Sequence, residues 1–273
     1  MHILLLGATG RIGSAIARAA LSAGHQLTLI LRSPEKVAER PRQVRIKGTI
    51  DAPDAWITHA RGVDAVIHAA CDWSGNMDNS EPGLIDTLAR SGFSGRLVYT
   101  GGVWCFAPGA VTEATPRTVP ENFDWSDRGW SQIQQLGMDA VWVHPGLVWG
   151  DGHAHYAPMA AAATARQPIP CLAPGDQLQP LIHADDLADG YLRALEHGQC
   201  GRDYLFVGEN TPMRRIAEAV AMRHGLTVAD VPGDPDDPYT WSQKVDCARA
   251  LAELGWRPHN TDAARTLSNG AIE

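Results

Sequence analysis

The chain has 273 residues, 44% of them hydrophobic and 20% charged, with a formal net charge of −8 at pH 7. That length supports one large core with a small accessory lobe, the acidic balance gives no electrostatic support to nucleic-acid binding, and no apolar run approaches the ~20 residues of a membrane span. The five cysteines, Cys71, Cys105, Cys171, Cys200 and Cys247, are odd in number and lack any C-x-x-C spacing. Reduced thiols in a cytoplasmic protein are therefore expected, with neither disulfides nor a metal site.

His2-Ile3-Leu4-Leu5-Leu6 is a nearly unbroken apolar run, as for a parallel strand buried on both faces. A chain that begins on a core strand is not expected to carry a signal peptide. Gly7-Ala8-Thr9-Gly10-Arg11-Ile12-Gly13 follows, then an alanine-rich helix from Ser14 to Ala23, closed by Gly24, and a β-rich run from His25 to Leu31. Between a strand and a helix, such glycines allow a tight turn, close approach of backbone N–H groups to a pyrophosphate, and tight helix–strand packing. The helix N-terminus adds free donors and a partial positive charge. Gly7, Thr9, Gly10, Arg11 and Ile12 are therefore candidate nucleotide-binding residues. Arg32 ends the second strand, where the adenosine ribose lies in this topology. An acidic residue there would accept hydrogen bonds from a 2′-hydroxyl, whereas Arg suits a 2′-phosphate, with Arg11 as a second cation. NADP(H) is thus expected in preference to NAD(H).

Val44 to Lys47 reads as a third strand, Asp54 to Ala60 as a helix and Ala65 to Ala70 as a fourth buried strand. Small Ala69 and Ala70 at its carboxyl end let backbone lie against a cofactor ribose, and His68 is expected to pack structurally. The polar run Cys71 to Pro82 reads as a loop, Leu84 to Arg90 as helix, Arg96 to Thr100 as a fifth strand and Met138 to Val143 as a sixth. Asp151 to Ile169 is an alanine-rich helical insertion whose His153 and His155 read as solvated loop residues. Asp185 or Asp186 is expected to cap a helix from Leu187 to His197. Asp203 to Gly208 is a last strand, Thr211-Pro212 opens a helix through Arg223, and a terminal helix near Val245 to Leu254 precedes Trp256-Arg257-Pro258. The implied fold is α/β, a Rossmann-type doubly wound parallel sheet in residues 1–150. Residues 151–273 form mainly a substrate-side lobe, with 178–208 returning to the core sheet.

Four features carry a family resemblance. They are the G-x-x-G-x-x-G turn, and the strand leading into Gly101-Gly102-Val103-Trp104 with Glu113 and Pro116 after it. The others are His144-Pro145-Gly146-Leu147-Val148-Trp149-Gly150 and the stretch Pro180 to Ala188. Together they resemble the short-chain dehydrogenase/reductase superfamily, in its extended or atypical epimerase/dehydratase-like branch. The resemblance implies a bound pyridine nucleotide, touched by the backbone of Thr49 and Ile50 where the family has an aspartate, by Thr100, and by Pro145 and Leu147 near the nicotinamide. It also exposes departures. The family's catalytic Ser falls on Gly101 or Gly102, and no Tyr-x-x-x-Lys spacing exists. In the segment Pro120 to Leu136, Asp124 falls on the tyrosine position and Arg128 on the lysine position, while His144 replaces an arginine and Trp149 a tyrosine.

Asp124, Arg128 and His144 are the candidate catalytic residues. Arg128 cannot deprotonate and is a fixed cation; Asp124 beside it stays ionised, a base and a poor acid unless burial raises its pKa. Three functions remain open. One is an NADP-dependent reductase or epimerase whose proton comes from Asp124, His144 or water. Another is a non-redox lyase, isomerase or cyclase with Asp124 as base and the cofactor bound structurally. The third is an NADP-sensing binding protein resembling nitrogen-metabolite repressors. Trp73, Trp104, Trp125 and Trp149 are expected to line a pocket for a flat, largely apolar small molecule. That favours an enzyme with a small-molecule substrate and no nucleic-acid or membrane partner; the oligomeric state is open.

Overall fold

The computed structural model describes residues 1–72, 75–150 and 155–269. In chain order the main elements are β1 (His2–Leu6), α1 (Arg11–Ser22), β2 (Gln26–Leu31), β3 (Gln43–Lys47), β4 (Ala65–His68), α2 (Met77–Arg90), β5 (Arg96–Thr100), β6 (Gly109–Val111) and α3 (Asp124–Gln135). Then come β7 (Ala140–Pro145), β8 (Leu147–Trp149), α4 (Ala157–Thr164), β9 (Ile169–Leu172), β10 (Leu178–His183), α5 (Ala184–His197), β11 (Asp203–Phe206) and β12 (Glu209–Pro212). The chain closes with α6 (Met213–His224), β13 (Val228–Val231), β14 (Gln243–Val245), α7 (Ala248–Leu254) and α8 (Ala263–Ser268).

Seven strands form the central sheet in the order β11-β7-β5-β4-β1-β2-β3. The pairings of β1 with β2 and β4, of β2 with β3, of β4 with β5, and of β5 with β7 are all parallel. Strand order therefore reverses beside β1: the next strand, β2, lies on one side and β4 on the other. In open α/β sheets that is where ligands bind, beyond the carboxyl ends of the strands. The apolar run of β1 is explained by burial on both faces, with Ile3, Leu4 and Leu5 all fully buried. This is the α/β Rossmann-type fold that the sequence pattern predicts.

The chain divides into two compact units. The first comprises 1–105, 119–144 and 188–204; the second comprises 106–118, 145–187 and 205–273. Within the second, β10 pairs antiparallel with β12 and parallel with β8, while β9 pairs with β13 and β14 with β6. Of the stretch 178–208 expected in the core sheet, β11 is one of the seven strands, whereas β10 stands in the three-stranded sheet. Among the described residues no helix is long and apolar enough to cross a membrane.

Several local expectations need correction, each for a tertiary reason. Asp54 to Ala60 is two 3-10 turns, Pro53–Ala55 and Ile57–Ala60, broken at Trp56, whose backbone swings to φ −136° as its ring is buried. The polar run before Leu84 is not all loop: α2 starts at Met77 and runs through Pro82, because Ser80 and Glu81 are buried, not solvated. Asp186 caps no helix. Its carboxylate accepts from the N–H groups of His259 and Asn260 and from the Asn260 amide, and so clasps the segment after Trp256. His155 is buried rather than solvated, and His153 lies outside the described residues.

A candidate nucleotide cradle and the positions around it

Gly7 leaves β1 at φ +86°. A Cβ there would lie 2.4 Å from the Ala69 carbonyl oxygen and 2.7 Å from the Ala70 nitrogen, so the turn rests directly on the peptide that ends β4. A Cβ on Gly13 would lie 2.1 Å from the Gly7 carbonyl oxygen, so α1 in turn rests on the glycine loop. The loop is closed by Gly10 N–H donating to Gly7 O and Ser14 N–H donating to Gly10 O, both at 2.9 Å. Gly10 caps α1 without a side-chain bond, and no acidic residue occupies the first turn. The first N–H groups of the helix have no acceptor within it, and its dipole is not offset there by a carboxylate. Thr9 and Gly10 are exposed, and Arg11 and Ile12 are half-buried beside them. Such a surface has the donors and the backbone access that a pyrophosphate needs.

Arg32, one residue beyond β2, is exposed and makes no hydrogen bond or ion pair among the described residues. Thr49 and Ile50 follow β3 and are half-buried. Their turn is held by Trp56, whose indole N–H donates to the Thr49 carbonyl at 2.7 Å. The ring lies where a Gly48 Cβ would be, 2.3 Å from its Cδ1. Trp56 went unnoticed in the sequence because its ring works through backbone.

At the end of β5, Thr100 is committed inward: its hydroxyl is 2.7 Å from that of Tyr191, a buried phenol whose pKa burial pushes up. The next position, Gly101, has no room for a side chain, since Trp142 Nε1 and His144 Nδ1 would lie 2.6 and 2.8 Å from its Cβ. His144 is fully buried, and its Nδ1 is 3.2 Å from the Gly102 carbonyl. Asp124 and Arg128 are brought together one turn apart on α3, with Arg128 Nη1 3.0 Å from Asp124 Oδ2, and Arg128 also pairs with Asp78 of α2. Both members of the pair are substantially exposed. Trp104 packs against Phe123 with ring centroids 5.2 Å apart. In the second unit Trp149 is buried edge-on to His183 at 4.6 Å, and Pro145 and Leu147 are buried beside it in sequence. Trp73 lies outside the described residues. The indoles that do gather in the first unit are Trp130 and Trp142, stacked at 5.1 Å.

A family model described as NAD(P)H-binding matches residues 7–169, more than half of the chain. The protein is a member of this NAD(P)H-binding family. Among curated relatives, the chain is 25% identical to an uncharacterized protein of Saccharomyces cerevisiae, over 94% of this chain and 95% of that one. It is 24% identical to 2-alkyl-3-oxoalkanoate reductase of Stenotrophomonas maltophilia, over 84% of this chain and 78% of the reductase. Similar solved structures include dTDP-glucose 4,6-dehydratase of Bacillus anthracis in complex with NAD, with TM-score 0.84, 16% identity, and coverage of 99% and 95% of the two chains. UDP-glucose 4-epimerase of Thermotoga maritima with UDP-glucose gives TM-score 0.81, 13% identity, and 99% and 98% coverage. The fold is thus the one seen in the NAD-bound dehydratase and in the epimerase.

Proposed function

We propose that the protein is an NADP(H)-dependent reductase of a small, partly apolar carbonyl compound, with the dinucleotide pyrophosphate on the Gly7–Gly13 turn. The observation that carries this reading is the cradle itself: two glycines with no room for Cβ and a helix start with no side-chain cap and no acid in its first turn. Thr9, Gly10, Arg11 and Ile12 supply its rim, Ala69 and Ala70 its floor, and Thr49, Ile50 and Thr100 further cofactor contacts. Arg32, exposed and without a carboxylate partner, supports a 2′-phosphate and hence NADP(H). The likeness to a 2-alkyl-3-oxoalkanoate reductase supports carbonyl reduction as the reaction class.

When bound, the reduced dinucleotide supplies a hydride. The chain's own residues then have to place the carbonyl, stabilise the negative charge that develops on its oxygen, and see that oxygen protonated. Arg128 is a permanent cation for the charge, held in place by Asp124 and Asp78. Solvent water reaching the exposed Asp124–Arg128 pair supplies the proton to the oxygen, in place of the missing tyrosine. His144, fully buried with Nδ1 at the Gly102 carbonyl, serves to fill the Gly101 position and not as the donor. Trp104 is a wall residue of the substrate side. The test is turnover of a panel of aliphatic and aromatic ketones and 3-oxo acids with 4-deuterated NADPH. Label on the product carbinol carbon supports the reductase. Substrate conversion without label points instead to a non-redox lyase or isomerase with Asp124 as base, which the solvent-facing Asp124–Arg128 pair would also suit.

A further inference from the structure

Beneath the carboxyl end of β4 lies a set of polar side chains that the reductase reading leaves unused. Glu81, on α2, is fully buried, and its Oε2 lies 3.0 Å from Nε2 of His68, itself only 4% exposed. Tyr99, on β5, sets its ring edge-on to His68 with centroids 5.8 Å apart. Burial first, and then the charge of Glu81, push the Tyr99 phenol well above its ordinary value. Room for that hydroxyl comes from α3: a Cβ on Gly129 would lie 2.3 Å from Tyr99 Oη. Glu81 has no Lys or Arg partner among the described residues. Burying a carboxylate against a histidine alone is costly, and an apolar side chain would fill the space between α2 and β4 more cheaply. What the carboxylate orders is therefore the question.

The Glu81 carboxylate oxygen 3.0 Å from Nε2 takes the acceptor's part there, and so fixes the proton of His68 on Nε2. Nδ1 is then an acceptor, and the N–H of Ala70 meets it at 3.4 Å. Ala70 belongs to the same peptide against which Gly7 packs. We propose that Glu81 is a positioning residue: through the tautomer of His68 it fixes the Ala69–Ala70 peptide on which the glycine turn sits. Its effect on nucleotide affinity rests on the reading of that turn as an NAD(P)H cradle. The relay itself rests only on the four residues Glu81, His68, Ala70 and Gly7.

The experiment is nitrogen-15 NMR of the His68 imidazole in the full-length protein, alongside NADPH titration and melting of wild type, Glu81→Gln and Glu81→Leu. The wild-type imidazole is expected to carry its proton on Nε2, with the Ala70 amide protected from exchange. Glu81→Leu, which removes the acceptor, is expected to mix the two tautomers and weaken NADPH binding about tenfold, the equivalent of one hydrogen bond. Glu81→Gln, whose amide oxygen can still accept from Nε2, is expected to stay close to wild type in both. A simple packing role would move the melting temperature and leave the tautomer alone. A wild-type proton on Nδ1 overturns the relay, as does a Glu81→Leu variant that binds NADPH like wild type. If Glu81→Leu does not fold, Glu81→Gln decides by itself. Affinity must be kept where the Nε2 proton is kept, and lost where the amide reverses it. Correct tautomers in a protein that binds no pyridine nucleotide would refute the functional reading of the cradle instead, so the two fail separately.

Discussion

His144 stands in the space that a side chain at Gly101 would need: its Nδ1 is 2.8 Å from an ideal Gly101 Cβ, with Trp142 Nε1 closer still at 2.6 Å. One of the two positions, Gly101 or Gly102, on which the catalytic serine of the resembling family falls is thus filled here from the neighbouring strand β7. Loss of the hydroxyl and the presence of His144 are one packing arrangement. Restoring the serine should therefore not restore its chemistry. Gly101→Ser is expected to destabilise the fold by about 1–3 kcal/mol through overpacking, with no gain in NADPH-dependent turnover. Urea unfolding and a steady-state assay check the two halves.

Gly13 gives the sharpest test of the cradle. Ala in place of Gly within a helix ordinarily stabilises by about 1 kcal/mol. Here the added methyl would meet the Gly7 carbonyl at 2.1 Å, so the sign should reverse. Gly13→Ala is expected to lower the melting temperature and to weaken NADPH binding by at least about tenfold, measured by calorimetric titration.

Cofactor choice turns on Arg32. Arg32→Ala should weaken NADPH by about tenfold or more, since a charge-assisted contact to phosphate is among the stronger hydrogen bonds. NADH should bind the variant and the wild type alike. Equal losses for both nucleotides would remove the 2′-phosphate argument.

Trp56 anchors the turn after β3 through a single N–H. Trp56→Phe keeps much of the ring but loses the donor to Thr49 O, and is expected to cost about 1–3 kcal/mol in stability. The nucleotide should dissociate faster from the variant, read by stopped-flow fluorescence.

Thiol reactivity follows burial. Burial, aided by Glu81 and Asp72, raises the Cys71 thiol to about 11, and burial raises Cys247 to about 12 even though the Val207 N–H donates to its sulfur. Raised values leave little thiolate at pH 8, and the thiolate is the nucleophile. Cys200, the exposed cysteine, should be alkylated first by iodoacetamide at pH 8, with Cys71 and Cys247 following only as the pH climbs towards their pKa values. Peptide mass spectrometry over a pH series reads the order.

Much of this protein was legible from local pattern alone. The β1 run, the glycine turn and the α1 start are consecutive residues whose geometry is set by φ, by the want of a Cβ and by hydrogen bonds a few positions apart. Asp124 and Arg128, four apart on one helix, meet as helical spacing requires. What no local pattern carries is contact between distant stretches. Glu81 reads as one more polar residue in a loop until β4 delivers His68 to it, and Trp56 reads as helix until its ring finds Gly48. Asp186 looks like a cap until Asn260 arrives from 74 residues away. The amino-acid order by itself determined the strand–turn–helix that can cradle a pyrophosphate, because the hydrogen bonds that close the turn join residues a few positions apart. The tertiary structure alone decided which buried polar groups support that cradle and what fills the space beside Gly101, because both depend on which strands the sheet sets side by side.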